Sequence, residues 1–138
     1  MSRSVHPSPH RERASHWVLA FAVVSAPVAW ILHLLVNYSI AGQSCIGSAS
    51  VEAPASSHAL SAIMIVDLGA LALAILGGYV ALDLWKRTKN EKAGDVHQLV
   101  HIGDGRTRFL AACGILTSTL FGLAVTVDAL GSIVGPPC

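Results

Sequence analysis

Apolar residues fill three long blocks of this chain, and polar residues are largely confined to the gaps between them. The blocks run over 17–41 (WVLAFAVVSAPVAWILHLLVNYSIA), 59–85 (ALSAIMIVDLGALALAILGGYVALDLW) and 109–134 (FLAACGILTSTLFGLAVTVDALGSIV). Each exceeds the roughly 20 residues a helix needs to cross the hydrocarbon core. The pattern predicts three transmembrane helices over these ranges, joined by loops at 42–58 and 86–108. A polar tail at 1–16, bearing Pro, Ser and His, reads as disordered; a short tail at 135–138 follows the third block. The fold class that follows is all-α, an integral membrane three-helix bundle.

Composition agrees: of 138 residues 53% are hydrophobic and only 12% charged, too apolar a balance for an ordinary soluble domain. The formal net charge of +1 points to no nucleic acid or acidic substrate, so the placement of charge carries more than its sum. All nine basic residues fall in two places: Arg3, Arg11 and Arg13 before the first block, and Lys86, Arg87, Lys89, Lys92, Arg106 and Arg108 in the second loop. The positive-inside rule then makes the N-terminus and second loop cytoplasmic and the first loop and C-terminus periplasmic, in a bacterial inner membrane. The first block reads as an anchor, being about twice the length of a signal-peptide core.

This topology sorts the three cysteines. Cys45 and Cys138 share the outer, oxidising side, whereas Cys113 lies near the inner end of the third block. A Cys45–Cys138 disulfide would tie the C-terminal tail to the first loop, with Pro136 and Pro137 stiffening the approach. A redox-active thiol pair and a copper-ligand pair are its functional rivals, and two unpaired thiols the remaining alternative. Against them, the outer cysteines are not spaced C-x-x-C, and the methionines, Met1 and Met64, lie near neither.

Ionisable groups in hydrocarbon are costly and normally turn toward the bundle interior. His33 and Asn37 lie in the first block, Asp67 in the second and Asp128 in the third. At about 1.5 Å per residue, His33, Asp67 and Asp128 fall at roughly one depth, about 9 to 14 Å from the outer ends. Their helix faces carry small residues: Ala22, Ala26 and Ala29 with His33 and Asn37; Ala74, Gly78 and Ala81 with Asp67; Gly114, Ser118 and Gly122, with Thr117 and Asp128 at the edge of that stripe. Such residues let helices approach closely in lipid. A buried polar cluster of His33, Asn37, Asp67 and Asp128 is expected, first as interhelical glue, with a proton- or ion-handling site and a metal site or contacts with a partner's helices as the alternatives. No cofactor or metal is expected. Membrane b-type haem usually takes two histidines at one depth, and His58 stands at the outer boundary, far from His33.

In the second loop His97 and His101 have a spacing that suits metal on one helical turn. The neighbouring Val96, Leu99, Val100 and Ile102 suggest instead a short amphipathic segment on the inner surface. Lys86, Arg87, Lys89, Lys92, Arg106 and Arg108 are expected to contact lipid headgroups or a partner. GDGRTRF reads as a turn into the third helix; it lacks the G-x-x-x-x-G-K-[ST] spacing of a phosphate loop.

Taken together, WILHLLVNYSIAGQSC in the first block, GDGRTRFLAACGILTSTLFGLAV leading into the third and the terminal PPC resemble a family of small, mostly uncharacterised bacterial multi-span membrane proteins. Many of its members are encoded beside haem-copper oxidase and oxidase-assembly genes. The positions carrying the resemblance are Trp30, His33, Tyr38, Cys45, Arg106, Arg108, Phe109 and Cys138. It implies a respiratory-membrane setting and leaves the activity open. The expected function is that of a non-catalytic accessory or assembly subunit of a respiratory complex, with a haem-copper oxidase as the best-fitting host. The expected partners are the lipid bilayer, larger membrane-protein subunits and further copies of the chain. The alternative is an independent carrier or proton-linked transporter built on the His/Asp cluster. Catalysis is not expected, because no nucleophile/base set or phosphate loop occurs.

Overall fold

The computed structural model of the protein describes residues 15–46, 57–88 and 106–135, and the side chains within 15–43, 58–88 and 106–135. Three helices account for nearly all of them: α1 (His16–Ile46), α2 (Ser57–Arg87) and α3 (Arg106–Val134), with no strand among the described residues. At about 1.5 Å per residue they measure roughly 44 to 47 Å, against about 30 Å of hydrocarbon. Each is long and apolar enough to cross a membrane. The helices outrun the apolar blocks because a helix already formed keeps bonding its own backbone as it enters the headgroup zone.

Local bonds mark the ends. The Ser15 carbonyl accepts the Val18 and Leu19 amides at 3.0 and 3.2 Å, which starts α1. Thr88, just past α2, directs both its amide and its hydroxyl to the Leu84 carbonyl, at 3.0 and 2.9 Å. Gly135 bonds back to Gly131 at 2.9 Å and closes α3.

All three helix pairs pack against each other, and the up-down-up path puts the start of α1, the end of α2 and the start of α3 at one end. That end carries Lys86, Arg87, Arg106 and Arg108 and is called here the basic end; Asp67 and Asp128 lie toward the opposite, acidic end. From Ile63 onward the buried positions of α2 are Ile63, Asp67, Ala70, Ala74, Gly77, Ala81 and Leu84, continued by Thr88 just past its end, in alternating steps of four and three. This is the heptad spacing of a left-handed supercoil. Ala22, Ala26, Ala29 and His33 form the matching seam of α1. Thr107, Ala111, Gly114, Ser118 and Val125 form that of α3.

The seam is built from small side chains, and in places nothing larger fits. A methyl group on Gly114 would lie 2.8 Å from the Ala22 carbonyl oxygen and 2.9 Å from the Ala81 methyl. One on Gly77 would collide with the Ser25 hydroxyl. On α2 Gly77, like Ala70 and Ala74, is buried, whereas Gly78 is only half-buried and faces Ser118 of α3. The sequence pattern had placed Gly78 on the central face. Gly77 is the more enclosed because it meets Ser25 of α1 and Ser118 of α3 together.

Van der Waals contact of this kind is the main force that can hold helices together where lipid is as apolar as leucine. Large residues such as Leu35, Ile65, Leu68, Ile75, Leu116 and Leu120 point outward. Hydroxyls on the outer surface are bonded within their own helix: Ser39 to the Leu35 carbonyl at 2.6 Å, Thr119 to Ile115 at 2.8 Å and Thr126 to Gly122 at 2.8 Å.

Pro27 lies inside α1 and has no N–H for the carbonyl four residues earlier, that of Val23. Thr117 of α3 supplies the missing donor, with its hydroxyl 3.3 Å from that oxygen. The helix passes its proline with the help of its neighbour.

Several expected features lie outside the described residues: the Cys45 side chain and Cys138, hence the disulfide; Lys89 and Lys92; and His97 and His101 with the surrounding loop.

Candidate functional site

His33 and Asn37 are four residues apart on α1, so they share a face one turn from each other. Both reach Asp67 of α2: His33 Nε2 lies 2.7 Å from Asp67 Oδ1, and Asn37 Nδ2 donates to the same oxygen at 2.7 Å. His33 is 2% exposed and Asp67 3%. Asp67 Oδ1 accepts from Asn37, since an amide nitrogen can only donate, and meets His33 through Nε2.

The network is saturated on one side only. His33 Nδ1, Asn37 Oδ1 and Asp67 Oδ2 are all buried with no hydrogen-bond partner. A buried polar atom left in that state costs about 1 to 3 kcal/mol. Three such atoms lie within this one bonded triad.

A cavity of about 420 Å³ adjoins the triad, lined by His33, Leu34, Asn37, Tyr38 and Ala41 of α1, Ile63 of α2, and Val127, Asp128, Gly131, Ser132 and Gly135 of α3. It runs from the level of His33 to Gly135, the residue that ends α3. Asp128 stands half-buried on this wall, and among the described residues no hydrogen bond joins it to His33, Asn37 or Asp67. The expected four-residue cluster is thus a bonded triad of His33, Asn37 and Asp67, with Asp128 beside it on the cavity wall. Beyond Val125, which is 1% exposed, α3 borders the cavity instead of closing on α1. Ser132 bonds to the Asp128 carbonyl at 3.1 Å.

Toward the basic end the bundle closes. Ala29, Ala70 and Val125 pack under the triad with Trp30 and Leu71 against them, and the Trp30 ring meets Phe121 at 5.3 Å between centroids, tilted by 47°. Further on, the Ser25 and Ser118 hydroxyls are buried without partners. Beyond them Gly114, Ala22 and Ala81 close up, and these two alanines pack with Leu84 and Ala111.

The basic end is arranged differently. Arg108 lies with its guanidinium 4.8 Å from the centre of the Trp85 ring, a stacked cation worth about 0.5 to 1 kcal/mol at an exposed site. Arg87 pairs with Asp83 at 2.8 Å on the helix surface. Lys86 and Arg106 are exposed. Cys113 is a half-buried free thiol on α3. His58 is exposed at the start of α2. Among the described residues no three His, Cys, Asp or Glu side chains group closely enough to hold a metal ion.

Tyr38 and Ser132 also line the cavity, and the sequence reading had given neither a place in the site. Ser132 follows Asp128 by four residues, so helical spacing was a usable signal; Tyr38, next to Asn37, was marked only by the family resemblance. No family model, curated protein or solved structure matches this chain.

Proposed function

We propose that the protein is a non-catalytic accessory or assembly subunit of a bacterial respiratory membrane complex, with a haem-copper oxidase as the host that fits best. In this reading it sits in the inner membrane, basic end toward the cytoplasm and acidic end toward the periplasm, as the distribution of Lys and Arg indicates. The observation that carries the proposal is the close packing beneath the triad. Among the described residues the three helices close up where Gly114 meets Ala22 and Ala81, between the cavity and the basic end. Such a protein acts by what it docks against. The respiratory setting rests on the resemblance of sequence in the first and third helices to small membrane proteins often encoded beside haem-copper oxidase genes.

The test is purification of the tagged protein from native membranes in mild detergent, with mass spectrometry of the copurifying chains. Respiratory subunits at near-stoichiometric yield are the expected result; a preparation containing only the bait would count against it. A second reading, an independent carrier or proton-linked transporter assembled from several copies, draws on the buried His33–Asp67 pair. It requires a pH-dependent flux in proteoliposomes that is lost in Asp67→Asn.

A further inference from the structure

We infer that the junction of α2 and α3 at the basic end is a binding site for an anionic phospholipid, its phosphate held at Arg108 and Lys86.

Charge at this end is positive and only partly spent. Among the described residues Lys86, Arg87, Arg106 and Arg108 stand there with a single carboxylate, Asp83, and Arg87 takes it at 2.8 Å. Lys86 and Arg106 are exposed and have no carboxylate partner among the described residues. Over 83–108 as a whole, six Lys and Arg stand against four Asp and Glu, so the excess stays positive. An anion is the complement of such a surface, and basic clusters where membrane helices meet at the headgroup level suit acidic lipid headgroups.

One of these cations is fixed in place. The Arg108 guanidinium lies 4.8 Å from the centre of the Trp85 ring, and Trp85 itself packs against the Leu84 and Ala111 cluster. That contact joins the last turn of α2 to the first turn of α3. Stacking holds a guanidinium by its face, whereas phosphate meets it edge-on through the N–H groups in its plane. The two contacts are compatible on one side chain. Lys86 follows Trp85 directly and brings a second charge to the same level.

The order of polar and apolar groups matches a phospholipid. Leu82 lies three residues before Trp85 on α2, and Phe109 follows Arg108 on α3; with the helices antiparallel, both lie deeper in the apolar span than the cations. They are exposed, at 45% and 55%. Phosphate at the cations therefore leaves an acyl chain running along side chains that already face lipid.

The experiment uses the full chain in nanodiscs holding phosphatidylglycerol and phosphatidylcholine with matched acyl chains. Both lipids carry a phosphate, but in phosphatidylcholine its charge is cancelled by the lipid's own cation. Native mass spectrometry reads which lipid stays bound. Phosphatidylglycerol should be retained preferentially, and Arg108→Gln and Lys86→Gln should each lower the preference by about fivefold, the equivalent of about 1 kcal/mol per basic residue. Arg108→Lys keeps the charge without the planar fork and should fall in between. Arg87→Gln removes the same charge from a guanidinium already committed to Asp83, and should leave most of the preference intact. Equal retention of the two lipids would overturn the inference. So would equal losses in Arg87→Gln and Arg108→Gln, which would mean diffuse attraction without a site. A protein that copurifies through Arg108 while neither lipid is preferred would assign these cations to an acidic partner surface and overturn it as well. Circular dichroism checks that each variant is folded, and Lys86→Gln, on the exposed surface of α2, carries the test if Arg108→Gln is not.

Discussion

Thr117 on α3 donates its hydroxyl to the Val23 carbonyl oxygen on α1 at 3.3 Å, the oxygen that Pro27 leaves without its helical N–H. The same hydroxyl lies 3.2 Å from the Gly114 carbonyl of its own helix, so one donor is shared between two acceptors. In lipid there is no water to take over the orphaned carbonyl.

The first prediction follows from that sharing. Thr117→Val should lower bundle stability by about 1 kcal/mol, the scale of an interhelical hydrogen bond in a membrane. In a Pro27→Ala background the Val23 carbonyl regains an N–H from residue 27, and the same threonine substitution should cost much less. A double-mutant cycle in detergent unfolding reads the coupling. Equal costs in both backgrounds would mean that the threonine serves packing alone.

Glycine positions give a second, graded prediction. A methyl on Gly114 meets backbone at 2.8 Å, whereas one on Gly122 meets only the Ala74 methyl at 3.6 Å, and one on Gly131 meets nothing within 4 Å. Gly114→Ala should destabilise by about 1 to 3 kcal/mol through overpacking. Gly122→Ala should be close to neutral. Gly131→Ala should be neutral or stabilising by about 0.5 to 1 kcal/mol, because alanine costs less backbone entropy in a helix. Thermal melts of the three variants should fall in that order, and a Gly114→Ala protein as stable as the parent would contradict the close approach of α1, α2 and α3.

Three membrane-crossing helices were legible from apolar block length alone, and the contact faces of α1 and α3 from their alanine, glycine and serine spacing. The face of α2 was harder. At about 100° per residue Gly78 falls about 20° from Asp67, but in a supercoil with a repeat of 3.5 residues Gly77 and Gly78 straddle that direction equally. Only the positions of Ser25 and Ser118 decide between them. His33, Asn37 and Asp67 could be brought to one depth by counting residues. The cavity beside Asp128 could not, because its existence depends on how far α3 stands from α1 past Val125. Nor could Thr117's role be read, since the chain does not announce which neighbour faces the carbonyl freed by Pro27.

Cys45 and Cys138 are open to direct measurement. Cys45 and Cys138 are expected to be joined, and Cys113 is a free, half-buried thiol. Alkylation of unreduced protein followed by intact-mass analysis should add one label once the bundle is opened, and three after reduction. Three labels without reduction would rule out the bond. Formation of such a link constrains the unfolded chain, so Cys45→Ser should also lower the melting temperature in oxidising buffer and have little effect in reducing buffer.

The buried triad gives the last prediction, and it separates pairing from mere burial. Asp67→Ala removes the oxygen that both the His33 ring nitrogen and the Asn37 amide reach, beside the almost enclosed His33, so its cost should exceed that of His33→Ala, which leaves Asp67 still bonded to Asn37. Asp67→Asn retains an acceptor oxygen and should fall below Asp67→Ala. The coupling between His33→Ala and Asp67→Ala should reach about 1 to 2 kcal/mol, toward the upper end of measured side-chain bonds between membrane helices, because both groups are almost fully enclosed. Additive single-mutant costs would show that the two side chains do not support each other. The hydrogen bond at 2.7 Å would then be a consequence of helix packing and contribute nothing to its cause.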